Sequence, residues 1–257
     1  MTVGRFALAL LGLSVACSPA SQTPATDGLT QDEAQALVDA ADRSDEDRER
    51  DARRHPAEFL VFTGVHRGAH VAEIGAGSGY TTELLVRAVG PEGVVYGHNE
   101  PAVIEKFLSE SWPARLARPG NEKVARVDRG FGDPLPSEVG DLDLIVIVYA
   151  YHDTPLYGVD RAAMNARLFG ALKPGGSLVV VDHHAKAGAP VDETADTLHR
   201  IDEAVVRQEL EAAGFVLDGT AEFLRNPEDT RDEPFFKREA PTDAFVLRFK
   251  KPENTEG

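Results

Sequence analysis

Blocks of apolar residues and amphipathic segments follow each other along this chain and predict strands and helices in turn. Short apolar runs are typical of strands buried on both faces. The segments between them repeat apolar residues every three or four positions, as one face of a helix does. The predicted strands are His70–Ile74, Gly93–Gly97, Lys123–Val127, Leu142–Ala150, Ser177–Asp182, Phe215–Leu224 and Asp243–Lys250. The predicted helices are Thr30–Arg54, Tyr80–Val89, Ala102–Leu108, Gly158–Leu172 and Leu198–Ala213.

The order of these elements predicts an α/β domain. Strands that alternate with helices form a mostly parallel sheet with helices on both faces. No helix is predicted between the last two strands, so we expect them to pair antiparallel. Residues 57–65 form an apolar lead-in, Lys173–Gly176 predicts a turn, and Gly214 ends a helix. Thr30 and Glu33 have the spacing of a capping box.

The first 17 residues have the outline of an export signal. Arg5 precedes an apolar run from Phe6 to Val15 that is too short to span a bilayer. Cys17 follows small residues and resembles the lipidated cysteine of bacterial lipoproteins, although Ser14 replaces the usual aliphatic residue. We expect an exported, periplasm-facing protein, attached to the membrane only by a lipid on Cys17. An incidental N-terminal cysteine, and a cytoplasmic protein, are the alternatives.

The rest of the chain divides into four segments. We expect a flexible tether at 18–29, a helical extension at 30–56, the α/β domain at 57–251 and a disordered tail at 252–257. The net charge of −16 argues against a nucleic acid as partner. The charged run at 48–54 predicts a solvated or partner-facing helix. A single cysteine excludes an intrachain disulfide, and the sequence predicts no oligomeric state.

The end of the first strand carries the glycine-rich loop that identifies the ligand class. Glycines at 75, 77 and 79 follow the acid Glu73, and their spacing lets the backbone approach a ligand closely. A dinucleotide site would need its third glycine at position 80, where the chain has Tyr80. The spacing found here, after an acid, instead resembles the loop of S-adenosylmethionine-dependent methyltransferases, and a nicotinamide or flavin site is the alternative.

Residues 55–251 resemble class I (Rossmann-like) S-adenosylmethionine-dependent methyltransferases, and more closely a bacterial group of predicted methyltransferases. The motifs that carry the resemblance are Glu73–Thr82, Tyr151–Asp153, Leu172–Gly176, Val181–His184 and Leu198–Glu203. The resemblance implies a seven-stranded sheet whose last strand is antiparallel. It also implies S-adenosyl-L-methionine as the cofactor. The residues that would hold its methionine portion are Glu73, Gly75, Ala76, Gly77 and Gly79.

The match to related enzymes is weaker at the residues that would contact the ribose and the adenine. Related enzymes end their second strand in an acid that grips the ribose, and here Asn99 stands in that place, followed by Glu100. Either side chain is a candidate. Gly132 and Asp133 resemble the segment that meets the adenine, and the alternative is that Asp133 is a turn residue before a proline.

In the methyltransferases that this chain resembles, the segment after the fourth strand faces the transferring methyl group. We expect Tyr149 to bind the cofactor, and His152, Asp153 and Tyr151 to be catalytic. His152 is the candidate general base because an unperturbed imidazole titrates near neutrality, and Asp153 would orient it. The alternative is that His152 only caps the strand end.

The acceptor side should involve His183, His184 and Arg54, the last in a segment that is either a lid over the pocket or a plain helix end. Histidines 183, 184 and 199 with Asp182 raise the alternative of a metal ion. Adjacent residues of a strand point to opposite faces, so we expect no metal.

These observations predict methyl transfer from S-adenosyl-L-methionine to an oxygen, nitrogen or carbon of a small molecule. Export would remove the domain from the cytosol, where this cofactor is made. A non-catalytic exported module that binds an adenosine-like or other small ligand is therefore the second hypothesis.

Overall fold

The computed structural model describes Met1 and residues 28–253, and the strands of that range form one sheet. The strands are β1 (His70–Ile74), β2 (Val94–Asn99), β3 (Val124–Asp128), β4 (Leu142–Val148), β5 (Leu172–His183), β6 (Val216–Ala221) and β7 (Ala244–Lys250). Their order is β3-β2-β1-β4-β5-β7-β6, and β7 runs antiparallel to both of its neighbours. The predicted fold class, including the antiparallel last strand, is confirmed.

Helices cover both faces of this sheet, as the alternating pattern predicts. They are α1 (Gln31–Val38), α2 (Asp45–Arg54), α3 (Pro56–Thr63), α4 (Tyr80–Val89), α5 (Pro101–Val103), α6 (Ser111–Leu116), α7 (Arg161–Ala171), α8 (Val191–Leu198) and α9 (Glu203–Ala212). A π-helical turn, Ile104–Leu108, extends α5, and 3₁₀ turns cover Tyr151–Tyr157 and Phe235–Lys237.

Each face of the sheet has its own apolar core. On one face, Leu168 of α7 and Leu210 of α9 are fully buried among the residues packed on β4 and β5. On the other face, Leu60 of α3 and Leu85 of α4 are fully buried, together with residues of α1. Full burial of such a side chain stabilises the fold by roughly 2 kcal/mol. Residues 30–56, which we expect to be an extension, thus pack into the same core as the sheet.

The predicted helix Thr30–Arg54 is two helices, and the prediction of one continuous helix is wrong. Arg43 donates to the carbonyl of Val38 at 2.7 Å, which satisfies the end of α1. Ser44 then caps α2 by accepting from the backbone of Asp47 at 3.3 Å. The expected capping box of Thr30 is present. The apolar lead-in at 57–65 is largely the helix α3.

The predicted helix Leu198–Ala213 is also divided. His199 adopts a left-handed conformation (φ 51°) that ends α8. Asp202 begins α9 by accepting from the backbone N–H of Ala204 at 3.0 Å. The turn expected at Lys173–Gly176 lies within the long strand β5. Gly214 follows the last helix with φ 101°, as predicted.

Strand order reverses between β1 and β4, and ligands of open parallel sheets bind at such a point. The glycine loop that follows β1 therefore lies beside the segment that follows β4. No helix within residues 28–253 is long and apolar enough to cross a bilayer. The expected export signal, Cys17, most of the tether and residues 254–257 of the tail lie outside the described residues.

Candidate active site

The loop after β1 bends back on the neighbouring strand. Gly75, Gly77 and Gly79 all have positive φ, of 75°, 58° and 82°. The backbone N–H groups of Gly75 and Ala76 both donate to the carbonyl of His98 on β2, at 3.1 and 2.8 Å. A side chain at Gly75 would collide with Ala150, whereas nothing lies within 4 Å of the place where a Cβ of Gly77 would be. The space in front of Gly77 is therefore open within residues 28–253, and we call this space the crevice.

Asn99 holds this loop rather than facing a ligand. Its Oδ1 accepts from the N–H of Gly77 at 2.8 Å, and its Nδ2 donates to the Gly77 carbonyl at 3.0 Å. Asn99 is fully buried, and both ends of its amide are occupied. Glu100 is the better ribose candidate. One of its carboxylate oxygens accepts from the N–H of Phe131 at 2.7 Å, and no side-chain hydrogen bond to the other is found within residues 28–253.

Glu73 places a carboxylate beneath the loop. It is 2 % exposed, and the hydroxyl of Thr82 donates to it. Burial raises the pKa of Glu73 to about 7, against the opposing effect of hydrogen bonds from Thr82 and Thr81. A buried acid without a full counter-charge favours a cationic ligand, because the ligand's charge compensates for the lost hydration.

The structure does not bring Asp133 to this crevice. Its side chain is 62 % exposed and forms ion pairs with Arg129 and, at 3.9 Å, with Arg167. Gly132 is also exposed, and no atom lies within 4 Å of the place of its Cβ. The adenine role expected for Gly132 and Asp133 gains no support from these contacts.

Helix α2 covers the glycine loop through charged side chains. Arg115 of α6 donates from Nε to the carbonyl of Ser78 at 3.0 Å and lies between two acids, Asp47 of α2 at 2.5 Å and Glu83 of α4 at 2.6 Å. Asp51 of α2 also accepts from the hydroxyl of Tyr80 at 2.7 Å. The charged run at 48–54, which we expect to be solvated or partner-facing, thus contacts the site through Asp51.

His152 is held between two carboxylates. Its Nδ1 lies 2.6 Å from Asp182 and its Nε2 lies 3.2 Å from Asp153. Burial alone would lower the pKa of His152, but the charges and hydrogen bonds of Asp182 and Asp153 outweigh it and raise the pKa to about 10. Each ring nitrogen thus has a carboxylate as its partner. The geometry therefore does not favour the expected general base.

Tyr151 points away from the crevice. Its side chain is fully buried on the face of the sheet that carries α7 and α9. The hydroxyl donates to Glu209 at 2.7 Å and accepts from Asn165 at 2.8 Å. Burial, together with the charge of Glu209, raises the pKa of Tyr151 far above its usual range. The structure does not bring this hydroxyl together with the other predicted catalytic side chains.

A cavity of about 420 Å³ lies at the carboxyl ends of β4 and β5. Four stacked side chains form part of its wall. The guanidinium of Arg54 lies 4.3 Å from the ring centroid of Tyr149, whose ring stacks on His183 at 4.3 Å. His183 stacks in turn on Phe235 at 4.4 Å. Tyr149 itself has φ 56°, which directs the chain sharply at the end of β4.

His183 is the last residue of β5 and His184 follows it, and their side chains lie on opposite sides, as strand alternation predicts. His183 lines the cavity, and its Nδ1 lies 2.7 Å from the hydroxyl of Thr242. His184 instead has its Nδ1 3.0 Å from Arg225 and 3.5 Å from Asp243, and it does not line the cavity. Only His183 of this pair lies on the predicted acceptor side.

A smaller cavity of about 20 Å³ adjoins the large one. Arg54 and Tyr149 line both cavities. The small cavity is also lined by Tyr80 and Thr81 of the first turn of α4, directly after the glycine loop. The large cavity is thus separated from the start of α4 by the side chains of Arg54 and Tyr149.

Comparison with known proteins shows the family to which this chain belongs. The family model of protein-L-isoaspartate(D-aspartate) O-methyltransferases (PCMT) matches residues 33–203, about two thirds of the chain. The chain belongs to the PCMT family. No curated protein sequence is significantly similar to it. Family and fold together confirm the predicted enzyme class, a methyltransferase, and the predicted cofactor, S-adenosyl-L-methionine.

Solved structures support the fold of this PCMT family member. A SAM-dependent methyltransferase from Aquifex aeolicus is 17% identical, with a TM-score of 0.58 over 87% of this chain and 99% of that one. A protein of Galdieria sulphuraria predicted to be a sarcosine dimethylglycine methyltransferase is 18% identical, with a TM-score of 0.57 over 87% and 98%. A predicted S-adenosylmethionine-dependent methyltransferase from Listeria monocytogenes is 14% identical, with a TM-score of 0.53 over 80% and 99%.

The crevice of this PCMT family member fits the cofactor. The open space at Gly77 admits a ligand where any side chain would intrude, and the buried Glu73 favours a cation such as a sulfonium or an ammonium. Glu100 keeps one carboxylate oxygen available for a hydroxyl. These are the residues that would hold S-adenosyl-L-methionine.

Sequence reasoning missed two parts of the site. Arg115, which holds the loop at Ser78, lies in a short helix whose sequence gives no functional signal. Phe235 and Arg238, which line the cavity, come from the loop between β6 and β7. The aromatic pair Phe235 and Phe236 in an otherwise polar loop was the available signal there.

Proposed function

We propose that this protein transfers a methyl group from S-adenosyl-L-methionine to a small acceptor that carries a negative charge. The observation that carries this proposal is the lining of the large cavity. Within residues 28–253, that lining contains four arginines and no acidic residue, in a chain whose net charge is −16. The arginines are Arg53, Arg54, Arg225 and Arg238.

The electrostatics of these arginines support an anionic acceptor. Arg225 and Arg238 are held by acids that do not line the cavity. Arg225 lies 3.1 Å from Asp243, and Arg238 lies 2.8 Å from Glu233 and 3.3 Å from Asp229. Arg54 makes no ion pair within residues 28–253 and lies over the ring of Tyr149. A guanidinium held on an aromatic face remains able to bind a carboxylate or phosphate with two hydrogen bonds.

The size of the cavity supports a small molecule. Its volume of about 420 Å³ lies within the usual range of small-ligand sites. The rings of Tyr149, His183 and Phe235 offer a flat apolar surface next to the arginines. An acceptor with a planar or apolar body and an acidic group would satisfy both parts of the lining.

The cofactor supplies, when bound, an electrophilic methyl group. In this proposal Glu73 and the glycine loop hold its charged end, and Glu100 holds the ribose. Arg54 and the other arginines bind and orient the acceptor anion, because positioning two reactants accounts for much of the acceleration in such transfers. A carboxylate acceptor needs no proton removed, which agrees with a site where both nitrogens of His152 are occupied.

The proposal is tested by transfer of radiolabelled methyl groups to a panel of small carboxylic acids, phosphates, amines and neutral phenols. We expect transfer to acids of the panel. Arg54→Gln should raise the KM for such an acid by about 10- to 100-fold, since a hydrogen bond to a charged group is lost. The matched control is Arg207→Gln, on the exposed face of α9. Transfer to amines or neutral phenols alone would overturn the anionic acceptor.

A second acceptor follows from the family name, which refers to isoaspartyl residues of proteins. An isoaspartyl peptide also presents a carboxylate, so the arginine lining does not exclude it. The panel therefore includes one such peptide and its aspartyl counterpart. If the isoaspartyl peptide is methylated and none of the small acids is, the acceptor is a protein and not a small molecule.

The non-catalytic alternative predicts binding without transfer. Isothermal titration with S-adenosyl-L-methionine, its demethylated product and NAD separates the hypotheses. Micromolar binding of the first two supports the methyltransferase. Tight binding of NAD, with neither of the others bound, would favour a different enzyme class.

We further propose that the protein is exported and lipidated on Cys17, for which the support is the N-terminal sequence pattern. Mass spectrometry of the membrane fraction should find an acylated Cys17 at the new N-terminus. An intact Met1 on a cytosolic protein would contradict both export and lipidation.

A further inference from the structure

Three side chains beside the cavity converge on one point. Nε2 of His152 lies 3.2 Å from an Oδ1 of Asp153, and Nδ1 of His199 lies 3.2 Å from that same oxygen. All three donor atoms lie within 4.8 Å of one another. Two imidazoles and a carboxylate are the ligand types that zinc, iron and cobalt share in proteins.

The backbone brings these residues together from two separate elements. His152 and Asp153 lie on the 3₁₀ turn that follows β4, and His199 ends α8, which packs against that turn. The left-handed conformation of His199, with φ 51°, is sparsely populated by residues other than glycine and costs about 1 kcal/mol or more. The fold maintains this strained position, in which the His199 ring lies against Asp153.

Asp182 supplies the outer support expected of a ligating histidine. It is fully buried, accepts from the backbone N–H of His152 at 2.9 Å, and lies 2.6 Å from Nδ1 of the same residue. A carboxylate on one ring nitrogen fixes the imidazole tautomer and directs the lone pair of the other nitrogen outward. Here that second nitrogen, Nε2, faces Asp153.

We propose that His152, Asp153 and His199 bind a divalent transition-metal ion of the zinc type. For an ion about 2.1 Å from each donor, neighbouring ligand atoms stand roughly 3.0–3.4 Å apart. Both separations from Oδ1 of Asp153, of 3.2 Å, fall within that interval, and the two imidazole nitrogens lie within 4.8 Å of each other. With the ion bound, His152 is neutral. Its Nδ1–H donates to Asp182 and its Nε2 binds the ion.

The site is open on one side. The side chains of Asp153 and His199 are 28 % and 31 % exposed, while that of His152 is 2 % exposed. Three protein ligands leave at least one coordination position for water or for an anionic group. The ring of His152 lies 5.7 Å from that of His183, which lines the large cavity. The metal alternative considered in the sequence named Asp182, His183, His184 and His199, and we expected no metal there. Of those four residues only His199 is a ligand in the site proposed here.

The test is titration of the metal-free chain with Zn²⁺ by calorimetry. The background is Cys17→Ser without a polyhistidine tag, so that no other thiol or histidine tract contributes. We expect one equivalent of Zn²⁺ to bind. Asp182→Asn should weaken binding by about 10- to 100-fold, and His199→Ala should weaken it by at least that much. The matched control is His70→Ala, on the exposed start of β1, which should bind Zn²⁺ as the parent does.

Two further measurements keep the proposal falsifiable if a variant folds poorly. With Co²⁺ bound, the parent and His70→Ala should show visible absorption bands. The Asp153→Asn variant should lack these bands. Its folding is checked by the unfolding curve of the metal-free protein. Binding of Mg²⁺ in place of Zn²⁺ would contradict the two-histidine site, because imidazole favours transition metals. Equal Zn²⁺ binding by the parent and His199→Ala would overturn the proposal.

Discussion

The amide of Asn99 binds the backbone of Gly77 on both sides, accepting from its N–H at 2.8 Å and donating to its carbonyl at 3.0 Å. The end of β2 thereby holds the loop that follows β1. An acid in this position could accept but not donate. The asparagine that departs from the pattern of related enzymes is thus explained by the loop that it supports.

Asn99→Asp distinguishes this support from a ribose contact. The new carboxylate would face the Gly77 carbonyl, and we expect a loss of roughly 2–3 kcal/mol in the free energy of unfolding. The affinity for S-adenosyl-L-methionine should fall at least about 10-fold, as measured by calorimetry. If the substitution instead increases the affinity, the position acts on the ribose as it does in related enzymes.

Gly77→Val tests whether the crevice holds the cofactor. The side chain would enter open space and occupy a left-handed conformation, with a strain of about 1–3 kcal/mol. We expect binding of S-adenosyl-L-methionine to be lost in calorimetry while the fold remains. Gly68→Val is the matched control, because Gly68 also has a positive φ (79°) and open space around it, at the turn before β1. Unchanged affinity in Gly77→Val would move the cofactor elsewhere.

The pH dependence of stability should report the buried Glu73. Its pKa rises from an ordinary 4.5 to about 7 on folding. Between these values the folded state binds more protons than the unfolded state, so stability decreases as pH rises from about 4.5 to 7. The expected contribution of this residue is a loss of about 3 kcal/mol across that window.

Glu73→Gln removes the titrating group with little change in shape. Urea unfolding of both proteins at several pH values gives the difference in their free energies of unfolding. The free energy of unfolding of the variant should increase relative to that of the parent as the pH rises from about 4.5 to 7. At the acid end of this range the two values should differ little. A constant difference at every pH would show that Glu73 titrates normally in the fold.

Asp47→Asn tests the attachment of α2 over the glycine loop. Asp47 accepts from both terminal nitrogens of Arg115, at 2.5 and 2.8 Å, and these groups hold its pKa well below the usual range although burial opposes this. Loss of one partner leaves the other charge buried, so we expect a loss of roughly 3 kcal/mol in the free energy of unfolding. Asp45→Asn, exposed on the same helix, should change it by less than about 0.5 kcal/mol. Equal effects would contradict the role of Asp47.

The central strands could be predicted from the sequence because they are short apolar runs, which are typical of strands buried on both faces. The buried run of β4 and the glycine loop after β1 are visible as patterns in the chain. Helix ends were harder to predict. The breaks before Ser44 and at His199 depend on hydrogen bonds and on a left-handed residue, neither of which changes the apolar periodicity.

Most of the site residues that could not be placed from the sequence differ from the prediction in the direction of their side chains. Tyr151 and His152 are neighbours, yet the first extends toward Glu209 under the sheet and the second toward Asp182 above the strand ends. Arg115 and Arg238 reach the site from elements distant in sequence. Such placements follow from the folded backbone and not from residue type.

The attachment of α2 by charged groups has a consequence for how this helix responds to salt. It buries Asp47 and none of its other residues fully, so its contact with the glycine loop involves ions and little apolar surface. Dissolved ions screen charge pairs but leave apolar burial intact. Concentrated salt should therefore weaken the contact between α2 and the loop more than it weakens the two apolar cores on the sheet.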